Sequence, residues 1–211
     1  MARRDHTLDD KITAAAREEF SSKGYMGASL RKIAEKAEVT VGAIQIRYKS
    51  KDDLFLSLLR PLLEDIEATF RSVRDDYYDF KADDSFLSQL KASMQHESAA
   101  ILHLIFRHYE EAFLLFYRSA GSSVEHYFDR VVDSKIEQSV LFFRRAGYEG
   151  IDEGLLGMLI SVQFDSYRRL VAAHTSREQA EHSMNTLMIY HYAGWCALFD
   201  SANSTQEDGS I

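Results

Sequence analysis

Chain breakers are scarce in this sequence: one proline, Pro61, and ten glycines serve 211 residues. That scarcity, with few long β-branched runs, excludes a fold of many short strands and tight turns and favours long helices. A single cysteine, Cys196, rules out an internal disulfide, so a reducing, cytoplasmic setting is the expectation. The first ten residues, MARRDHTLDD, hold no apolar stretch of the kind a secretion signal needs. The longest apolar runs, such as residues 155–160, fall far short of a bilayer span, and no membrane partner is expected.

Enzymatic signatures are missing as well. There is no Glu-x-x-His pair for a di-iron bundle, no His-Glu-x-x-His zinc motif and no glycine-rich phosphate loop. His96 and His103 share a helical face but lie two turns apart, roughly 10 Å by helical rise, too far to share one metal. Cys196, beside Trp195, reads as packing rather than as a nucleophile. No catalytic residue, metal or cofactor is expected. A helical ligand carrier without DNA binding is the other class to weigh.

What is present begins with an uneven charge. The net charge is -8, which by itself argues against a nucleic-acid partner. Residues 1–57, however, carry eleven Lys/Arg against nine Asp/Glu, a balance of +2, while residues 58–211 carry fourteen against twenty-four, a balance of -10. A slightly basic head on an acidic body would turn the head toward a polyanion.

Apolar periodicity and capping residues then divide the chain into helices, and the fold class is all-α. Leu8, Ile12, Ala15, Ala16 and Phe20 share one face of a first helix that stops at Lys23 and Gly24. Ser29 caps a short helix to Lys36, Thr40 a very short one to about Ile46, and Ser50 a third that opens with Asp52 and Asp53. A long helix from Leu54 to about Arg74 contains Pro61, and residues 77–84 form a polar connector. Further helices are expected over 85–118, with a break near 95–98, then over 123–145 with a stop at Gly147, over 152–174 and over 177–199. The domains read as 1–57 and 58–200, with 201–211 a disordered tail.

Two short helices joined by a tight turn, the second too small for a core of its own, form a helix-turn-helix pattern. Val39, Ile44 and Tyr48 anchor the second helix, which presents Thr40, Val41, Ala43, Gln45 and Arg47. Gln45 can read adenine, Val41 or Ala43 can touch a thymine methyl, and Lys49 and Lys51 can meet phosphates. A plain helical hairpin with a solvated polar face fits the same spacing.

The stretch AAREEFSSKGYMGASLRKIAEKAEVTVGAIQIRYKSKDDL resembles the DNA-binding domain of the tetracycline-repressor (TetR) family of transcriptional regulators. Ala15, Ala16, Phe20, Gly24, Tyr25, Ser29, Ile33, Ala34, Ala37, Val39, Thr40, Gly42, Tyr48, Ser50, Lys51 and Leu54 carry the resemblance, which covers residues 8–58. It implies a homodimeric regulator, most simply a repressor released from a palindromic double-stranded DNA operator by a small-molecule effector. By position it implies that Ser29 and Arg31 meet backbone or base, that Thr40, Val41, Gly42, Ala43 and Gln45 occupy the recognition helix, and that Arg47, Tyr48 and Lys51 lie on the phosphate side. Glu38 departs from the usual turn glycine, Gln45 from a common tyrosine, and Arg47 from a frequent histidine or aromatic.

The acidic body has more apolar residues than one helix face requires, as buried bundle helices do. Any single aromatic there is core packing on composition alone. The resemblance, with tyrosine hydroxyls that need partners if buried, makes Phe106, Tyr109, Phe113, Tyr127, Phe164 and Arg168 the candidate effector contacts. The effector is read as apolar or aromatic, with an acidic group for Arg168. Leu155, Leu159, Met188, His191 and Trp195 are the candidate dimer contacts, helped by the small residues Gly154, Gly157 and Ser161. Pro61 is either a kink that transmits effector binding or a tolerated bend near a helix start.

Overall fold

Side-chain caps set where the short helices begin. In a computed structural model that describes residues 6–78, 86–145 and 152–207, Ser29 accepts the Arg31 N–H at 3.2 Å and opens α2 (Leu30–Lys36). Thr40 accepts the Ala43 N–H at 3.1 Å and opens α3 (Val41–Arg47). Ser50 accepts the Asp53 N–H at 3.0 Å, while the Asp53 carboxylate takes the Lys49 N–H at 2.9 Å, at the start of α4 (Lys51–Tyr78). These reciprocal bonds satisfy donors that a helix start leaves open. The other helices are α1 (His6–Gly27), α5 (Phe86–Arg107), α6 (Tyr109–Tyr117), α7 (Tyr127–Arg145), α8 (Glu153–Ala172) and α9 (Arg177–Glu207). Among the described residues there is no strand, and the fold is all-α.

Several boundaries differ from those read in the sequence. The helix expected to break near 95–98 runs whole to Arg107; the break falls at His108, whose backbone leaves the helical region. The helix expected from Ser123 starts at Tyr127, because turns around Gly121 (φ 83) occupy the preceding residues. Helix α4 passes through Pro61 without interruption. Helix α9 continues to Glu207, into the segment read as a tail. Residues 79–84 of the polar connector, Gly147 and residues 208–211 lie outside the described residues.

Compactness groups the residues into a head unit, Met1–Glu64 with His108–Phe128, and a body unit, Asp65–Arg107 with Asp129–Ile211. The division drawn at residues 57 and 58 follows sequence; compactness instead sends 58–64 and the stretch around α6 to the head. In the head unit, Ile12, Ala16, Phe20, Ile33, Ile44, Leu54, Phe55 and Leu59 are fully buried. Phe20 meets Phe55 edge-on at 4.8 Å, with Tyr25 5.3 Å from Phe55. In the body unit α5 packs on α9. Phe86, Phe143, Trp195 and Phe199 form an aromatic cluster there, with centroids 5.3 to 5.7 Å apart along its closest pairs.

Two helices end on a non-glycine residue in the left-handed region. After α2, Glu38 (φ 56) donates to Glu35 O and Val39 donates to Ala34 O. After α8, His174 (φ 50) donates to Val171 O and Thr175 donates to Leu170 O. Both sets of bonds make the Schellman closure, whose left-handed position favours glycine.

Candidate nucleic-acid interface and buried polar centre

Helix α3 is seven residues long and is fixed to the head by one fully buried side chain, Ile44. Its outward face carries Gly42, Gln45 and Ile46, all exposed, with Val41 and Ala43 half-buried beside them. A Cβ on Gly42 would meet only Thr40 Oγ1, at 3.8 Å, so packing in the free protein does not require glycine there. Ile46 is 85% exposed. Sequence reasoning missed it; the available signal was its place four residues after Gly42, on the same face.

The cations around α3 divide into two groups. Arg47 donates through Nε to Asp9 at 2.6 Å and through Nη1 to Ala43 O at 3.3 Å, which ties α3 to α1. Lys51 donates to Tyr25 O at 2.7 Å and Ala28 O at 3.2 Å, and its ammonium lies 4.3 Å from the Tyr25 ring centre. Both charges therefore brace the head. Tyr48 is buried, as an anchor would be. Arg31 and Lys49 are exposed and make no ion pair among the described residues. Of the sequence-read contacts, Arg31, Gly42, Gln45 and Lys49 share open surface, with the caps Ser29 and Thr40 at the helix starts.

The head is completed by residues distant in sequence. At Gly24 (φ 68) α1 leaves the helical path, and the released Tyr25 N–H donates to Arg118 O at 2.7 Å. Arg118 Nε donates to Ser21 O at 2.9 Å, and its guanidinium stands 5.2 Å from the Phe113 ring centre. Arg17 pairs with Glu111 at 2.6 Å, and the Ser123 N–H donates to Asp52 at 3.0 Å. Burial, followed by the Asp52 carboxylate, pushes the Tyr25 hydroxyl above the usual phenol range. Gly121 allows close approach: a Cβ there would come within 2.7 Å of Met26 Cγ.

The six sequence-read effector contacts fall in different units. Tyr109, Phe113 and Tyr127 belong to the head unit; Phe106, Phe164 and Arg168 belong to the body unit. Phe164 is buried, stacked 6.1 Å from Phe70 and 6.0 Å from Tyr167. Close to it lies a polar centre that sequence reasoning did not single out. Glu97 of α5 pairs with Lys135 of α7 at 2.7 Å, the carboxylate almost wholly enclosed. Tyr167 of α8 is 1% exposed, with Glu97, Ser98 and Gln163 as polar neighbours, yet its hydroxyl makes no hydrogen bond of good geometry. Burial drives that hydroxyl well above the phenol range, so it stays protonated. Gln163 donates an amide N–H to the Met188 sulfur at 3.8 Å. One turn along α9, His191 is buried with Nε2 unbonded, and burial lowers its pKa.

The sequence-read dimer contacts also separate. Leu155 is exposed and Leu159 half-buried, whereas Met188, His191 and Trp195 are turned into the body at 3%, 5% and 6% exposure. The large apolar side chains facing outward on these two helices are Leu155, Met158 and Val162 on α8 and Ile189 and Tyr190 on α9, and Leu141 of α7 is exposed as well. Among the described residues, no cluster of His, Cys, Asp or Glu could hold a metal ion, and no helix is long and apolar enough to cross a membrane.

Residues 12–58 match a family described as bacterial regulatory proteins, tetR family. Solved structures share the fold over nearly the whole chain. A TetR-like transcriptional regulator from Rhodococcus sp. RHA1 is 16% identical, with 92% of this chain and 100% of that one covered at a TM-score of 0.61. The TetR family transcriptional regulator PfmR from Thermus thermophilus is 16% identical, with coverage of 89% and 94% and a TM-score of 0.57. The transcriptional regulator FadR from Bacillus subtilis, solved in complex with stearoyl-CoA, is 17% identical, with coverage of 85% and 95% and a TM-score of 0.56.

Proposed function

We propose, from the premise that this chain belongs to the tetR family of bacterial regulatory proteins, that it is a homodimeric repressor whose operator affinity falls when a small molecule binds the body unit. Membership makes it a DNA-binding transcriptional regulator; the dimer, the sign of regulation and the effector are the finer reading. The observation that carries it is the outward face of α3. Small Gly42, the amide of Gln45 and the apolar Ile46 stand clear of the fold, flanked by the exposed cations Arg31 and Lys49. Such a helix fits a major groove: Gly42 lets backbone approach the bases, Gln45 suits adenine, and Ile46 suits a thymine methyl. Arg31 and Lys49 take the phosphates, and Arg47 and Lys51 hold α3 and α4 at a fixed angle to α1.

Dimerisation is supported by the outward apolar stripe of α8 and by α9. Leu155, Met158 and Val162 recur at i, i+3 and i+7, and Ile189 and Tyr190 are followed by exposed Ala193, Gly194 and Ala197. Large apolar side chains beside small ones allow two helices from each subunit to approach closely. The Bacillus subtilis FadR complex supports a small-molecule role for this kind of body, without naming the molecule for this chain.

Selection of bound duplexes from a random pool tests the reading, with the molecular mass in solution measured alongside. A palindromic consensus bound by a dimer is expected. A monomer, or retention of the pool without sequence preference, overturns the proposal in favour of a helical ligand carrier.

A further inference from the structure

We infer that Ile46 is a specificity-determining residue, whose side chain reads the C5-methyl group of one thymine in each operator half-site. The inference rests on the regulator reading and names a base feature that its outward helix recognises. A single exposed apolar side chain is ordinary on a protein surface, so the position of Ile46 carries the argument. At 85% it is the most exposed large apolar side chain among the described residues. Three side chains around it fix the last turn of α3. Ile44 is fully buried, Tyr48 is buried, and Arg47 donates to Asp9 of α1 at 2.6 Å and to Ala43 O at 3.3 Å. Helix α3 therefore cannot roll to bury Ile46 without pulling those three out of place. β-Branching holds an isoleucine to one main rotamer in a helix, so little freedom is lost when it meets a partner.

Charge selects the partner. The exposed cations Arg31 and Lys49 flank this face and make no ion pair among the described residues, which suits a polyanion. On the major-groove edges of the four base pairs, the thymine C5-methyl is the one apolar group. The Ile46 side chain has no polar atom, so that methyl is the base feature it favours without stranding a hydrogen-bonding edge. Val41 and Ala43, the other apolar candidates on α3, are half-buried. Arginine is the commonest reader of guanine, but the Arg47 guanidinium, next in sequence, is committed to Asp9. Gln45, on the other side, supplies an amide that pairs with adenine. The turn thus suits an A·T-containing element, with the methyl assigned to Ile46.

The operator obtained by selection is resynthesised with each thymine replaced in turn by deoxyuridine, which lacks only the methyl. The full chain and Ile46→Ala are titrated with these duplexes in gel shifts, and the melting temperatures of the two free proteins are compared. In the unaltered chain, uracil at one thymine per half-site should weaken binding about fourfold, the effect of burying one methyl. Ile46→Ala should bind the thymine and uracil duplexes alike at that position, while its melting temperature stays equal or rises. A flat uracil scan, a difference undiminished in Ile46→Ala, or a lower melting temperature of the variant each overturns the inference. The selection itself is read first. If it yields a consensus and the uracil scan is flat, the role of Ile46 alone is wrong; if it yields no preference, the regulator reading falls.

Discussion

Head and body bury their polar groups in different ways. In the head unit, Glu19 is buried but lies 3.3 Å from Lys36, Ser119 donates to Leu115 O, and Ser122 accepts the Val124 N–H. Its cations Arg47, Lys51 and Arg118 are taken up by carboxylate and carbonyl partners. The body unit encloses an ion pair, a phenol and an imidazole nitrogen without hydrogen bonds of good geometry, and an amide on a thioether. A finished polar network holds one geometry, as a surface that must present α3 to a rigid duplex requires. The body's network leaves part of its bonding capacity unused.

The largest expected effect tests the enclosed ion pair. Lys135→Met removes the ammonium 2.7 Å from the enclosed Glu97 carboxylate, and losing one partner of a buried pair should lower the body's stability by about 3–5 kcal/mol in a denaturant titration. The double variant Glu97→Leu, Lys135→Met should recover most of that loss, because an apolar replacement strands no charge. If Lys135→Met costs no more than an exposed pair, about 1 kcal/mol or less, the pair is hydrated in solution and the contrast between the units weakens.

A second variant separates binding from stability in the head. Gly42 has open space around it and ordinary backbone angles, so Gly42→Ala should leave stability equal or raise it by up to about 1 kcal/mol through helix propensity. The added methyl stands where α3 would approach base edges. Operator affinity in a gel-shift titration is expected to fall at least about tenfold, equivalent to about 1.4 kcal/mol, at an interface of this kind. Unchanged affinity would move the DNA contact away from the start of α3.

The head was largely legible because its signals are local. Ser29, Thr40 and Ser50 announce helix starts through hydrogen bonds spanning two or three residues, and cap chemistry is written in adjacent positions. The break at His108 was illegible: neither glycine nor proline marks it. Arg118 could not be linked to Ser21 and Tyr25 by any periodicity, since the contact spans 97 residues in one bond. Arg47 and Lys51 looked like phosphate contacts because a basic side chain near a recognition helix reads the same whether it points outward or to a neighbouring carbonyl. Met188, His191 and Trp195 share the last difficulty: α9 is apolar on two faces, and sequence alone does not say which faces inward. The polar centre of the body was hidden for a related reason, its members being ordinary residues on four helices until folding brings them together.

His191 makes the contrast depend on pH. Burial lowers its pKa in the folded chain, whereas the unfolded chain titrates near the ordinary histidine value of about 6.5. Above that value neither state is protonated and His191 contributes no slope. As pH falls below it, the unfolded chain takes up a proton that the folded chain refuses, so stability drops until the folded-state value is passed and then levels off. Melting temperatures between neutral and mildly acidic pH should show this decline, and His191→Leu should flatten it. An equally steep decline in the variant would assign the effect to other groups.

The smallest effect compares the two units through the same backbone motif. Glu38 and His174 each occupy the left-handed position that closes a helix, at φ 56 and φ 50, where a side chain costs about 1–2 kcal/mol in conformational energy. Glycine removes that cost but adds freedom to the unfolded chain, so the net gain should be about 0.5–1 kcal/mol. Glu38→Gly is expected to reach the upper part of this range and to tighten operator binding slightly, since it also removes an exposed carboxylate from the turn leading into α3. His174→Gly should gain less, because His174 takes part in a further interaction that the substitution puts at risk. Calorimetric melting of both variants checks the ordering. A larger gain at His174 would mean that the head turn tolerates its glutamate at little cost and that strain, like the unfinished polar network, is concentrated in the body.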